Sequence, residues 1–325
     1  MSLSSTGRIV TLTANPSHDR TVALPGVLER GAVQRVDQMT SQAGGKGVNI
    51  SRAAVTAGLA SSAVFPADSD DSFVHELIAL GVDCHATPPA GPIRVNLTLT
   101  EPDGTTTKLN GPGAAVDGGH LDAMASALVD HARDGFWTVL AGSLPPGAPA
   151  SFYADVVRQL HGLTHVAVDT SGAALQALID GIPGTAPDLI KPNAEELASV
   201  TGRSAAELEG DPMLVVAAAR SLVERGVGAV LATLGGQGAI VVDATGAWRA
   251  TPPPTTVVST VGAGDSSLFG YLLGHHRGLA MPERLALAVA YGSAAAGLPG
   301  TTIPHPDAVR PELVAVEAIT LSAHP

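Results

Sequence analysis

The sequence predicts an α/β fold built on a mostly parallel sheet covered on both faces, with a small, mostly antiparallel sheet projecting from it. From about residue 120 onward, short β-branched or apolar runs alternate with Ala-rich helical patterns, the rhythm of a parallel sheet with helical crossovers. Residues 20–40 and 93–109 break that rhythm with period-two alternation, as in Arg94-Val95-Asn96-Leu97-Thr98-Leu99-Thr100. A 45% hydrophobic content in 325 residues is ample for a substantial core.

Taken in order, apolar or β-branched runs mark strands at 8–12, 137–141, 165–169, 189–191, 229–233 and 239–242. Helical patterns lie between them at 49–57, 72–79, 119–132, 151–160, 194–200 and 213–225. Asp103-Gly104 stands where the second early stretch needs a hairpin turn. Pro252-Pro253-Pro254 reads as a stiff loop entering a last β-branched strand, Thr256 to Val261, which stops at glycine and turns into a helix carrying Leu268 to Leu273. The chain leaves the main domain and returns to it, so residues 1–325 are expected to form one domain, with excursions at about 20–40 and 93–110 forming a lid.

Charge and cysteine usage exclude several classes of function. A formal charge of -12, from 30 acidic and 18 basic residues, disfavours nucleic acid and anionic membrane as partners. It leaves phosphorylated small molecules open, because a few local cations decide those. The single cysteine, Cys84, rules out an internal disulfide framework and suits a reducing compartment. Met1 to Gly7 has no basic segment followed by an apolar run, and no stretch of about 18 apolar residues occurs, so the expected location is the cytoplasm.

The densest chemical signal is Ser259-Thr260-Val261-Gly262-Ala263-Gly264-Asp265. A strand that stops at Gly-Ala-Gly-Asp and opens a helix leaves unpaired amides of Gly262, Ala263 and Gly264 at a positive helix end, which suits an anion. No lysine follows Gly264, so this is not the common nucleotide-binding loop. Asp265 stands instead where a carboxylate can take a proton from a hydroxyl. A tight turn with a first-turn aspartate is the plainer alternative.

Five further segments carry chemistry. In Gly44-Gly45-Lys46-Gly47-Val48-Asn49, glycines admit a ligand to the backbone, Lys46 offers a compact cation, and Asn49 offers a donor and an acceptor for sugar hydroxyls. Asp19, in the loop expected after the first strand, is placed to accept from hydroxyls. In Lys191-Pro192-Asn193-Ala194-Glu195-Glu196, Asn193 and Glu196 suit either a hydrated Mg²⁺ or a reciprocal helix cap. Arg94 and Asn96 share one strand face, where a guanidinium grips a phosphate in bidentate fashion. The Thr233 to Gly238 turn, with Gly235, fits either nucleotide phosphates or a simple hairpin.

In order and spacing these motifs, together with Gly142-Ser143-Leu144-Pro145, resemble the ribokinase-like sugar kinases of the phosphofructokinase-B type over nearly the whole chain. Gly-Gly-Lys-Gly with a later Arg-x-Asn is similar to the phosphosugar branch of that family. The resemblance implies a Rossmann-like αβα sandwich with a β-sheet lid, ATP as donor, Mg²⁺, and a ketohexose monophosphate as acceptor. Fructose 1-phosphate, giving fructose 1,6-bisphosphate, is the acceptor it implies first; tagatose 6-phosphate and fructose 6-phosphate are alternatives within the class, and a silent sugar-phosphate sensor is one outside it.

Carried over by residue, Asp265 is the base and the amides of Gly262, Ala263 and Gly264 the anion hole. Asp19, Gly45, Asn49 and Asn96 hold the sugar, with Lys46 and Arg94 near its phosphate. Lys191, Asn193, Thr233, Gly235 and Gly238 lie on the ATP side, and Asn193 and Glu196 hold Mg²⁺ through water. A homodimer through the lid is also implied. One departure is the segment Phe65-Pro66-Ala67-Asp68-Ser69-Asp70-Asp71-Ser72-Phe73, where the family carries a Gly-x-Asp-x-x-Gly loop and this chain has no glycine.

Overall fold

The computed structural model describes residues 7–36 and 38–320. The N-terminal segment read above for a leader lies outside them except for Gly7, and so does Asp37 in the first excursion. Along the chain run β1 (Arg8–Leu12), β2 (Ser17–Ala23), β3 (Gln38–Gly44), α1 (Lys46–Thr56), β4 (Ser61–Pro66), α2 (Ser72–Ala79), β5 (Asp83–Thr87), β6 (Arg94–Thr100) and β7 (Thr106–Asn110). They are followed by α3 (Gly118–Ala132), β8 (Gly135–Ala141), α4 (Phe152–Leu160), β9 (His165–Asp169), α5 (Gly172–Asp180), β10 (Leu189–Ile190), α6 (Ala194–Thr201), α7 (Ala205–Gly210) and α8 (Pro212–Glu224). The last third holds β11 (Ala229–Thr233), β12 (Ala239–Asp243), β13 (Ala247–Thr251), α9 (Ala263–His276), α10 (Met281–Ala296) and β14 (Ala315–Ala318).

Ten strands form one sheet in the order β14-β13-β12-β11-β10-β9-β8-β1-β4-β5. From β11 to β5 every pairing is parallel, and β12, β13 and β14 add an antiparallel edge. Because strand side chains alternate between faces, β1 sends Val10 and Leu12 one way and Ile9 the other. Val10, Leu12, Leu140, Val168 and Ile190 pack with Met124, Leu128, Tyr153 and Leu222 of the α3 to α8 layer. Ile9, Val139, Leu189 and Leu231 pack with Ile50 of α1, Leu268 and Phe269 of α9, and Leu285 of α10. The result is an αβα sandwich, as the resemblance implied.

The small sheet has the order β3-β2-β6-β7. Its outer pairs are antiparallel, while β2 and β6 run parallel in its centre. The turn between β6 and β7 is built as its sequence predicts: Asp103 accepts from the Thr105 amide, and Gly104 takes a φ of 89°.

Several expectations change. Thr256 to Val261 form no strand: the segment is a loop that leaves Val257 and Val258 59% and 55% exposed. β14 takes the sheet edge beside β13, so this β-branched run has no ladder to join, and the amides of Val258 and Ser259 donate to the Ala296 carbonyl instead. Asp19 lies within strand β2, not in a loop, and α1 begins at Lys46, not Asn49. β4, β5, β13, β14, α5, α7 and α10 were not foreseen. Leu140 is fully buried at the sheet centre, so Leu140→Ala is expected to cost about 2–5 kcal/mol. Urea unfolding monitored by circular dichroism should show a lower midpoint with an unchanged slope.

Candidate active site

In an open parallel sheet, ligands collect beyond the carboxyl ends of the strands where strand order reverses. Here the reversal falls at β1, which pairs with β4 on one side and β8 on the other. Segments leaving neighbouring strands on that edge are laced together. The Gly142 amide donates to Asp169 O at 2.9 Å, Thr170 Oγ1 to Gly142 O at 2.9 Å, Lys191 N to Val168 O at 3.1 Å, and Thr233 N to Pro192 O at 2.9 Å.

Two helices begin at this edge. α1 starts after Gly45 (φ 119°) and α9 after Gly262 (φ 77°), left-handed conformations that suit glycine and aim the first amides outward. Neither N-cap glycine has a side chain to cap its helix, so among the described residues the amides of Lys46 and Gly47 in α1 and of Ala263 and Gly264 in α9 stay open at two positive helix ends. The α1 start is pressed against β1: the Val48 amide donates to Thr13 Oγ1 at 2.9 Å, and a Cβ on Gly45 would lie 2.6 Å from Thr13 Cγ2. The two helices meet where Asn49 Nδ2 donates to Asp265 Oδ2 at 2.8 Å, with both residues buried.

Between these helix starts lies a charge cluster that the sequence reading did not contain. Asp169, fully buried at the end of β9, accepts from Lys46 Nζ on Oδ1 at 2.6 Å and faces Lys191 Nζ from Oδ2 at 3.1 Å. Lys191 is 4% exposed, and its ammonium borders α9: a Cβ on Gly264 would sit 3.3 Å from Nζ. Burial works against the Asp169 charge, yet Lys191 and Lys46 outweigh it and hold the carboxyl below its ordinary range. Burial likewise opposes the Lys46 charge, and Asp169 with Asp265 more than restores it. Asp265 goes the other way, because burial raises its pKa further than Lys46 and the Asn49 bond lower it. Open amides, two lysine side chains and a carboxylate of raised basicity make a site able to hold anionic oxygens and accept a proton.

The small sheet closes one side of this edge. Asp19 and Asn96 stand opposite each other in register, Asn96 Nδ2 donates to Asp19 Oδ1 at 3.0 Å, and Ser17 Oγ donates to the same oxygen at 2.7 Å. Gly44 lies flat against the Asp19 carboxylate, where any side chain would collide. On the same face, Gln42 accepts from Thr301, which lies beside Gly262. Arg94 donates to the Gly111 carbonyl at 3.0 Å and keeps a buried, unpartnered Nε. It makes no contact with Lys46 in hydrogen bonds or ion pairs of the described residues; Lys46 belongs to the Asp169 group.

On the far side, Asn193 Oδ1 accepts the Glu196 amide at 2.8 Å and Glu196 Oε2 the Asn193 amide at 2.9 Å, the reciprocal cap foreseen as one alternative. Asn193 bridges to Thr233, and Gly235 and Gly238 form the turn between β11 and β12. The segment without glycine after β4 is built differently: Asp71 caps α2 and lies 3.2 Å from His18 of β2. The structure thus gathers Lys46, Asn49, Lys191, Gly264 and Asp265 in one group, Asp19 and Asn96 in a second, and Asn193 with Thr233 in a third. Asp169 was legible in principle, as a carboxylate ending an apolar parallel strand at the ligand edge.

Because Asp169 neutralises two lysines, Asp169→Asn should destabilise the fold by about 3–5 kcal/mol, the scale for leaving a buried charge unpaired. Thermal unfolding should show the loss, and added inorganic phosphate should raise the variant's Tm more than that of the unmodified protein, since an anion replaces the missing carboxylate.

With this geometry in place, comparison with known proteins is direct. The pfkB family carbohydrate kinase pattern matches residues 13–308. The chain is 38% identical over 307 residues to a 1-phosphofructokinase of Rhodobacter capsulatus, covering 92% of this chain and 94% of that one. A 1-phosphofructokinase of Escherichia coli strain K12 is 33% identical over 291 residues, covering 87% and 89%. The crystal structure of phosphofructokinase-2 from Escherichia coli in complex with fructose-6-phosphate superposes with a TM-score of 0.82 at 28% identity, covering 93% of this chain and 97% of that one. The chain belongs to the pfkB family of carbohydrate kinases.

Proposed function

We propose that this kinase transfers the γ-phosphoryl group of ATP to the free primary hydroxyl of fructose 1-phosphate, giving fructose 1,6-bisphosphate and ADP. One observation carries the reading: Asp265 is held by Asn49 at the open N-terminus of α9, within the electrostatic reach of the Lys46–Asp169–Lys191 cluster. The identity to 1-phosphofructokinases supports the choice of acceptor.

In this reading Asp265 takes the hydroxyl proton as the oxygen attacks phosphorus in line and the bond to the ADP oxygen breaks. The amides of Gly262, Ala263 and Gly264 meet the charge on the transferring oxygens. Lys191, beside Gly264, and Lys46 extend that positive field. Asp19, Gly45, Asn49 and Asn96 hold the sugar, Arg94 its existing phosphate, and Asn193, Thr233, Gly235 and Gly238 the nucleotide. The second sheet acts as the lid of a single kinase domain. Its outward face carries Met39, Val95 and Leu109 at 57%, 37% and 56% exposure, which supports pairing with a second copy in a homodimer.

The donor set fits a hydrated Mg²⁺ and not an all-protein cage. Among the described residues no group of three or more His, Cys, Asp or Glu can enclose an ion. Glu196 commits Oε2 to its cap, leaving Oε1 to accept from metal-bound water beside Asn193. Bound there with the nucleotide, the ion supplies charge neutralisation of the phosphates. Among the described residues no helix is long and apolar enough to cross a membrane, and the cytoplasm is the compartment we assign to this reaction.

ADP release should favour fructose 1-phosphate over tagatose 6-phosphate, fructose 6-phosphate and fructose; no turnover with any of them would point to a silent sensor. Asp265→Asn is expected to lower kcat by about 100- to 10,000-fold while ATP binding by calorimetry persists. Since its carboxyl must be ionised to accept a proton and burial raises its pKa, activity should fall with decreasing pH at values above the ordinary ~3.9 of aspartate. For Arg94→Ala, the sugar-phosphate KM should rise with kcat little changed, because uniform binding is lost; a fall in kcat alone would contradict that role.

A further inference from the structure

Arg52 lies on α1, one turn beyond Asn49, and is 7% exposed. Its Nη1 donates to the Ala43 carbonyl at 3.1 Å and stands 3.5 Å from Asn49 Oδ1. Ala43 is the last residue but one of β3, immediately before the Gly44-Gly45 joint between the small sheet and α1. β3 is an edge strand, so its outward N–H and C=O groups have no ladder partner. At Ala43 both are taken by charged side chains of the main body: the carbonyl by Arg52, and the amide by Glu76 Oε2 of α2 at 2.9 Å. One peptide residue is therefore clamped from two helices at the point where the small sheet joins the glycine loop.

The same guanidinium decides the polarity of Asn49. An amide side chain has donors at one end and an acceptor at the other. Here Nδ2 meets the Asp265 carboxylate and Oδ1 meets the guanidinium. Flipping the amide would set its NH₂ against a cation and its oxygen against an anion. Burial disfavours the Arg52 charge, which Glu76 and Asp19 support. The lone unpartnered Nε shows that this position is not a simple saturated ion pair.

We propose that Arg52 is a positioning residue that couples the hinge of the small sheet to the reacting carboxylate, by pinning Ala43 and by aiming the Asn49 amide at Asp265. The inference rests on Asp265 as the proton acceptor. It has two separable effects. Pinning Ala43 sets where Gly44 lies against Asp19, and so governs sugar-phosphate binding. Aiming Asn49 commits one oxygen of Asp265 to a donor that favours its ionised form, in a neighbourhood where Lys46 and Lys191 act the same way and burial and Asp169 oppose them. The nucleotide side, Asn193 and Thr233, is untouched.

The test compares Arg52→Met, Arg52→Lys, Glu76→Ala and Asp265→Asn in steady-state kinetics from pH 5.5 to 9, with Tm recorded for each. Arg52→Met is expected to lower kcat on the order of 10- to 100-fold, the scale of a small misplacement of reacting groups. It should also raise the sugar-phosphate KM, leave the MgATP KM in place, and move the acid limb to higher pH, so that the deficit shrinks as pH rises. Arg52→Lys, with a single compact donor in place of a planar fork, should restore KM more than kcat. Glu76→Ala should raise KM without moving the acid limb. If Arg52→Met lowers Tm but keeps the pH profile and the kcat and KM values of the unmodified enzyme, the role is structural and the proposal is overturned. Should Arg52→Met fail to fold, Arg52→Lys decides: an unmoved acid limb with unchanged kcat overturns the proposal equally. Near-normal turnover by Asp265→Asn would instead overturn the base assignment itself, and is separable because that variant leaves the contacts of Arg52 and Glu76 with Ala43 in place.

Discussion

A carboxylate with no solvent exposure cannot stay ionised without partners, and the site depends on how Asp169 meets that constraint. Its two oxygens take two ammonium groups from segments far apart in sequence, Lys46 at the start of α1 and Lys191 after β10. The ion triad ties the end of β9 to the segment after β10 and, across the edge, to the first helix. Lys191, nearly buried, meets its counter-charge in Asp169 beside it. The positive field near Gly264 and the open start of α9 is therefore a consequence of a buried negative charge.

The asymmetry between the two aspartates follows from the same arrangement. Asp169 has two cations in contact and stays ionised. Asp265 has the Asn49 amide as its hydrogen-bonded partner and feels the lysines at longer range, so burial wins and its proton affinity rises. Two carboxylates a short distance apart thus differ in role, one fixing charge and one able to take up a proton.

Much of the fold was legible because apolar runs in a doubly covered parallel sheet are nearly continuous, as in Val166-Ala167-Val168 and Val230-Leu231-Ala232. Period-two alternation in Arg94–Thr100 marked the second sheet for the opposite reason, since one of its faces is polar toward the site. The β-branched run at Thr256 to Val261 misled, because propensity describes what a segment prefers and not whether a neighbouring strand is available to it. β14, only four residues long, occupies the place it would have needed. Asn193 and Glu196 were read as a spacing with two uses, and of these the cap is built.

What the sequence determined by itself was therefore local or periodic: the strand and helix rhythm, the hairpin turn at Asp103-Gly104, and the helix that opens at the Gly-Ala-Gly-Asp turn. Backbone geometry and burial period are written in neighbouring residues, which is why those features can be read without coordinates. Only the tertiary structure decided that Asn49 meets Asp265 across 216 positions, that Lys46 pairs with Asp169 across 123, and that Arg52 reaches back to the end of β3. Those contacts depend on which strand ends share an edge and which helices share a face, and chain topology sets that, not any local run of residues.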